Sequence, residues 1–359
     1  MKSRVWADID LSSIEYNFQY FRTRVKVNDI MAVVKANAYG HGAIQVARRL
    51  QGLADCFGVA NVREGVQLRH VGIDLPIVVL GGSLDEEIVQ AVDEDIILSV
   101  STVRQAKIVD RVARECGKHV SIYLAINTGF NRLGMDMDEN VYENIRQISS
   151  LSYAKLTGVF THSNKPDTCQ KVETYRQNES LVSLVRTIIS TGANIQELST
   201  CATLSCLDED LVVGNMVRIG LGLYGYGQTG LVPSMSVYSR VVHIRYVRHG
   251  ESVGYAPCFK ASRDMVVAVL SIGYADGYSL GLESVGYVLV GDKLAKVIGK
   301  ICMDMCMIDI SEIVGVKVGD IATMWGTQPR LDVMTAHSST SVYEMLSTVG
   351  KRVEKRYIG

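Results

Sequence analysis

The run Ile30-Met31-Ala32-Val33-Val34 passes through Lys35-Ala36-Asn37-Ala38-Tyr39-Gly40-His41-Gly42 into Ala43-Ile44-Gln45-Val46-Ala47-Arg48-Arg49-Leu50. Five consecutive apolar residues predict a short strand buried on both faces, since a strand with one wet face would alternate. A glycine-punctuated turn follows, and 42–50 reads as a helix. The same texture recurs along the chain. Strand-like runs lie at Cys56–Ala60, Pro76–Leu80, Ile96–Val100, Val120–Ile126, Lys155–Phe160, Ile195–Leu198 and Val217–Ile219. Helix-like stretches at Val62–Val71, Thr102–Cys116, Asn140–Ser149 and Thr168–Ile189 alternate with them. Eight strand–helix units predict an α/β fold, a (β/α)8 TIM-like barrel over residues 1–231, with an open doubly wound sheet as the competing arrangement. Ahead of the first unit, Asp10–Val25 predicts a helix from Leu11, Ile14, Phe18, Phe21 and Val25, with Ser12-x-x-Glu15 as its capping box.

Past Leu231 the texture changes. Val237–Val247, Met265–Ser271, Val285–Val290, Leu294–Ile301, Met305–Ile310 and Asp320–Trp325 read as strands separated by turns such as Val290-Gly291-Asp292. Residues 232–359 are therefore expected to form a β-rich C-terminal domain, with one late helix near Val342–Val349. A chain of 359 residues exceeds the size at which one core stops growing, which agrees with two domains.

Composition narrows the function classes. The net charge is −1 with acidic and basic residues interspersed, so no basic field points to nucleic acid or to an anionic membrane. The first residues, Met1-Lys2-Ser3-Arg4-Val5-Trp6-Ala7-Asp8, hold no apolar core of signal-peptide length, and no window is apolar enough for a membrane span. Eight cysteines without a Cys-x-x-Cys pair are expected to be reduced and mostly buried, which implies the cytoplasm. The seven histidines show no metal-ligand spacing, and no metal is expected.

The conspicuous polar residues fall at the carboxyl ends of the predicted strands, where barrels carry their active sites. Lys35 and Tyr39 follow the first strand, Asn127 and Arg132 the fifth, His162 the sixth and Thr203 the seventh. Arg218 and Gly220 end the eighth. A lysine partly desolvated in a barrel mouth would have a lowered pKa and a free amine for Schiff-base chemistry, although most lysines at strand ends are solvated charges. Arg132 offers a planar fork for a carboxylate, or is a surface arginine. Arg218 sits inside an apolar run, which implies either a structural partner or a ligand. His162 by itself reads more naturally as a hydrogen-bonded structural residue.

Taken together these segments resemble the alanine racemases. Ala32-Val33-Val34-Lys35-Ala36-Asn37-Ala38-Tyr39-Gly40-His41-Gly42 resembles the family's cofactor-lysine signature. Asn131-Arg132-Leu133-Gly134, Asn215-Met216-Val217-Arg218-Ile219-Gly220, Ile272-Gly273-Tyr274-Ala275-Asp276-Gly277 and Ile301-Cys302-Met303-Asp304 follow in the family's order. The resemblance implies a homodimer with shared active sites that racemises a small amino acid with pyridoxal 5′-phosphate (PLP). It implies that Lys35 carries PLP and acts as one acid/base, and that Tyr274, from a partner subunit, acts from the opposite face. Arg218 would face the pyridine nitrogen, where a decarboxylase of the same barrel class would want a carboxylate. Tyr39, Thr203, Gly220, Leu221 and Tyr343 would surround the phosphate. Arg132 and the Met303 amide would hold the substrate carboxylate, with His162, Asp167, Asp304 and Asn127 in support.

One departure stands out. The family commonly has a carbamylated lysine seven residues before the substrate arginine, and here that position is Ala125. Something else must orient Arg132, with a bound chloride or Asn127 as candidates. The Ala125-x-Asn127 pair is similar to the broad-spectrum racemases, so a broader or serine-preferring racemase is the alternative to an alanine enzyme.

Overall fold

A computed structural model describes residues 3–163, 171–190, 192–255 and 259–359. The chain divides into two compact units, one built from 17–38 and 43–223, the other from 1–16, 39–42 and 224–359.

The first unit is the expected barrel. Its parallel strands are β2 (Asp29–Val33), β3 (Cys56–Val59), β4 (Ile77–Val79), β5 (Ile97–Val100), β6 (Val120–Asn127), β8 (Ala154–Phe160), β9 (Glu197–Ser199) and β10 (Met216–Ile219), with the two-residue β7 (Met135–Asp136) beside β6. Strand order runs β10-β2-β3-β4-β5-β6-β8-β9. A parallel bridge between Ala202 and Arg218, with Arg218 N–H donating to Cys201 O at 3.1 Å, brings the ends of that order together. The eight strands form a nearly closed barrel rather than an open sheet. Strands β3, β4 and β10 are buried at every residue, as a strand packed on both faces requires.

Outer helices cover the ring with one apolar face each. Ala43–Leu50 buries Val46, Ala47 and Leu50, and Val103–Glu115 buries Ala106, Val109, Val112 and Ala113. Each fully buried Leu or Val of this kind contributes about 1.5–3 kcal/mol relative to exposure. Thr102 caps the second helix by accepting the Gln105 N–H at 3.1 Å. The helix expected over Thr168–Ile189 is observed as Lys171–Ser190, and 168–170 lie outside the described residues. The helix Leu11–Arg22 is capped two residues earlier than expected. Asp10 Oδ1, not Ser12, accepts the N–H groups of Ser12 at 2.9 Å and Ser13 at 3.2 Å.

The second unit is antiparallel and closed. β11 (Met235–Val247), β12 (Met265–Leu270), β13 (Tyr287–Val290), β14 (Lys293–Ile298), β15 (Cys306–Asp309) and β16 (Ile321–Trp325) pair in a ring, because β12 bonds both β15 and β11. Closure leaves those strands no free edge. β1 (Val5–Asp10) and β17 (Glu354–Ile358) extend the sheet from β11, β1 lying antiparallel to β11 and parallel to β17. The first strand of the chain therefore belongs to the second sheet. β11 serves three neighbours by bending at register shifts near Val237 and Val241. The late helix is observed at Val342–Ser347.

Among the described residues no helix is long and apolar enough to cross a membrane. The described cysteines 56, 116, 201, 206, 302 and 306 are free thiols, and Cys169 and Cys258 lie outside the described residues.

Candidate active site

In the barrel, chemistry collects at the carboxyl ends of the strands. Lys35 follows β2 directly after Val34, and the backbone then makes an unusual turn. Ala36, Asn37, Ala38 and Tyr39 all have positive φ, between 49° and 54°. L-residues in this region cost about 1–2 kcal/mol each, so the surrounding structure must hold the turn. Glu64 does much of that, accepting the Ala36 N–H at 2.8 Å on one oxygen and the Ala60 N–H at 2.7 Å on the other. Asn37 Oδ1 accepts the Ala43 N–H at 2.9 Å and ties the turn to the next helix.

Burial lowers the Lys35 pKa, and the nearby Arg132 and Arg218 lower it further, with Glu64 opposing them. Arg218, on β10, is 4% exposed. Its Nη1 donates to Ser199 O at 2.9 Å and Ser199 Oγ at 2.6 Å, and its Nη2 to Thr161 O at 2.6 Å. These partners are neutral oxygens, and burial pulls the guanidinium pKa down to about 10. It still carries its charge at neutral pH.

His162, two residues past β8, is exposed and packs against Phe130, with ring centroids 5.3 Å apart and the ring planes at 60°. Desolvation, then Arg218, Arg132 and Lys35, push its pKa down to about 4. Every one of these influences has the same sign, so the imidazole is neutral at pH 7. Arg132, exposed in the loop after β6, lays its guanidinium carbon 4.3 Å from the Phe130 ring centroid. Asn127 shapes that loop. Its Oδ1 accepts the Gly129 and Asn131 N–H groups at 3.1 and 3.0 Å, and its Nδ2 donates to Asn131 Oδ1 at 2.9 Å and Asp136 Oδ1 at 2.7 Å. Thr203, buried, accepts the N–H groups of Gly220 at 3.0 Å and Gly222 at 3.2 Å, which fixes the turn into Leu221. The barrel thus gathers Lys35, Arg132, Arg218 and His162 within electrostatic reach of one another. Asp167 lies outside the described residues.

The remaining candidates lie in the second unit. Tyr39 is buried against Tyr224 and Tyr343, with ring centroids 4.9 and 6.0 Å away. Burial holds both the Tyr39 and Tyr343 phenols above the ordinary tyrosine pKa. Gly40 has φ +80°, and a side chain there would overlap the Leu346 carbonyl. Tyr274, 43% exposed, opens a tight turn docked on the Cys302–Asp304 segment. The Tyr274 N–H donates to Cys302 O at 3.1 Å and the Ala275 N–H to Met303 O at 3.0 Å. Behind it the buried Asp276 accepts the Gly273 N–H at 3.0 Å, and Arg352 bridges Asp276 at 3.2 Å and Asp304 at 2.8 Å. Met303 and Asp304 border a cavity of about 760 Å³ that is also lined by Tyr246, Tyr255 and Met305. No group of three or more His, Cys, Asp or Glu among the described residues could hold a metal ion.

Glu64, Phe130, Ser199 and Arg352 were not singled out from the sequence. None sits in a pattern that distinguishes it from ordinary helix, loop, strand-end or surface residues, and only their partners give them a role.

The "Alanine racemase, N-terminal domain" family matches residues 9–228, and "Alanine racemase, C-terminal domain" matches 234–357. The chain is 34% identical to the alanine racemase of Methanococcus maripaludis, covering 99% of this chain and 98% of that one. It is also 34% identical to the alanine racemase of Clostridium tetani, over 99% and 95%. The solved alanine racemase from a D-cycloserine-producing Streptomyces lavendulae superposes with a TM-score of 0.95 at 28% identity, covering 100% of this chain and 98% of that one. The alanine racemase from Bartonella henselae, described with covalently bound pyridoxal phosphate, superposes at 0.90 with 24% identity over 99% and 100%, a likeness of fold. Two matching domain families and relatives above 30% identity along nearly the whole length show that this chain belongs to the alanine racemase family, whose members are isomerases.

Proposed function

We propose that the chain interconverts L- and D-alanine with PLP carried on Lys35, as a cytoplasmic homodimer that supplies D-alanine for cell-wall peptidoglycan. The observation that carries this reading is Lys35 itself: a desolvated amine at a barrel strand's carboxyl end, its pKa lowered by burial and by two flanking arginines. That is how an amine is kept reactive toward an aldehyde near neutral pH.

The residues present fit the cofactor. The Lys35 amine is flanked by a buried, charged Arg218 whose Nη groups are largely taken by Ser199 and Thr161, which leaves Nε among its remaining donors. Arg218 is assigned to the pyridine nitrogen, and Thr203, Gly220, Leu221, Tyr39 and Tyr343 to the phosphate. When bound, PLP supplies an electron sink for the substrate α-carbon. Because Arg218 keeps its proton at neutral pH, it would offer the pyridine nitrogen a hydrogen bond rather than a proton, which would restrain transamination.

Racemisation needs a proton removed on one face and returned on the other. Lys35 Nζ serves one face, and Tyr274 Oη from a second copy of the chain serves the other. Arg132 and the Met303 amide hold the substrate carboxylate, and neutral His162 adds no charge beside them. Asp304, Asn127 and Asp167 are supporting residues in this reading. Residues up to 231 supply most of the cofactor contacts, and those from 232 on supply Tyr343 at the phosphate together with Tyr274 and Met303.

Reduction of the PLP-loaded protein with borohydride, followed by peptide mapping, is expected to fix the label on Lys35. Alanine is expected to exchange its α-hydrogen with solvent as it racemises, and faster than serine does. A Lys35→Ala protein that racemises alanine at the full rate overturns the reading, and a preference for serine replaces it with the broader racemase.

A further inference from the structure

Arg132 lacks the anionic brace that the family commonly places at residue 125, where this chain has the buried Ala125. Asn127 does not replace it at the guanidinium, since its amide is spent on the Gly129 and Asn131 N–H groups and on the side chains of Asn131 and Asp136. Asn127 therefore sets the loop's backbone, including Asn131 at φ 58°, and leaves the Arg132 side chain to be placed by something else.

Phe130 is in position to place it. The Arg132 guanidinium lies over the Phe130 face at 4.3 Å, and the Phe130 ring is wedged edge-on against His162 at 60°. We propose that Phe130 is the positioning residue for Arg132, its ring face holding the guanidinium in the place of an anionic brace. This inference rests on the reading that Arg132 binds the substrate carboxylate. An aromatic face attracts the cation without spending its N–H donors, which lie in the guanidinium plane and stay free for a two-pronged carboxylate contact. It also adds no negative charge, so the full positive charge of Arg132 remains available to the substrate. The contact with His162 stops the ring from sliding.

The test uses racemase kinetics in both directions, with acetate as a competing carboxylate probe on the PLP-loaded enzyme. Phe130→Leu and Phe130→Met are two ringless variants, so failure of one to fold does not end the test. In both, KM for alanine and the acetate inhibition constant are expected to rise about two- to fivefold, the scale of a lost cation–π contact at an exposed arginine, with kcat much less affected. Phe130→Tyr, which keeps the ring, is expected to restore both constants. Unchanged acetate inhibition in the ringless variants, or equal loss in Phe130→Tyr, overturns the inference. So does a wild-type enzyme whose acetate affinity collapses when chloride is exchanged for gluconate, because a bound chloride is then the brace. Arg132→Gln separates the two levels. If it abolishes acetate inhibition while the ringless variants do not, the carboxylate role of Arg132 stands and only the part given to Phe130 falls. If it leaves acetate inhibition intact, the carboxylate role and the inference fall together.

Discussion

His162 is exposed yet lies against Phe130 and near three cations, and its surroundings decide its charge. Desolvation and the cations of Arg218, Arg132 and Lys35 all favour the neutral ring, with a folded-state pKa of about 4 against 6.5 for an unhindered histidine. As pH falls the unfolded chain therefore takes up this proton before the folded one, and stability falls with it. The contribution is complete above pH 6.5 and is lost progressively toward pH 4. His162→Gln is expected to flatten the drop in melting temperature across that window, measured by calorimetry in a pH series. Identical pH profiles for the two proteins would show that the ring titrates normally. Lys35 obeys the same electrostatics, and lowering its pKa frees the lone pair that its proposed chemistry uses.

At the scale of elements, the left-handed turn Ala36–Tyr39 strings together four non-glycine residues of positive φ, and Glu64 reaches it from the helix Val62–Arg69. Strain of this kind persists only where neighbours over-determine it. Glu64→Ala leaves the Ala36 and Ala60 amides without their acceptor and is expected to cost about 1–3 kcal/mol in urea unfolding. Glu64→Gln tests its charge separately. Glu64 raises the Lys35 pKa, so its neutralisation is expected to move half-maximal amine labelling of Lys35 to lower pH. No shift would mean that Glu64 acts on Lys35 only by holding the turn. In the second unit, Arg352 has a comparable part for the Tyr274 turn, tying Asp276 behind it to Asp304 beside Met303.

At the scale of the whole molecule, Lys35 and Tyr274 lie in different compact units of the chain. If each active site takes Tyr274 from a second copy, mixing Lys35→Ala with Tyr274→Phe subunits is expected to restore up to about a quarter of wild-type activity by random pairing. Two inactive parents whose mixture stays inactive after exchange would show that each copy works alone. The barrel strands were legible in the sequence because a strand buried on both faces must be apolar at nearly every position, as at Cys56–Val59 and Ile77–Val79. Lys35, Arg132 and His162 were legible as polar residues after such runs, and Arg218 as a charge inside one. The first strand was not, because Val5–Asp10 carries two aspartates, and its place beside β11 and β17 depends on segments more than 200 residues away. The closed ring of the second unit was equally hidden, since each strand shows only its own alternation. By itself, the sequence determined the strand–helix alternation, the change of texture after Leu231 and the order of the motifs, all of which are local. Tertiary structure alone decided that Glu64 holds the Lys35 turn, that Asp10 rather than Ser12 caps the first helix, and that Arg132 lies on Phe130. Those depend on distances of a few ångströms between side chains and backbone groups, which no periodicity records.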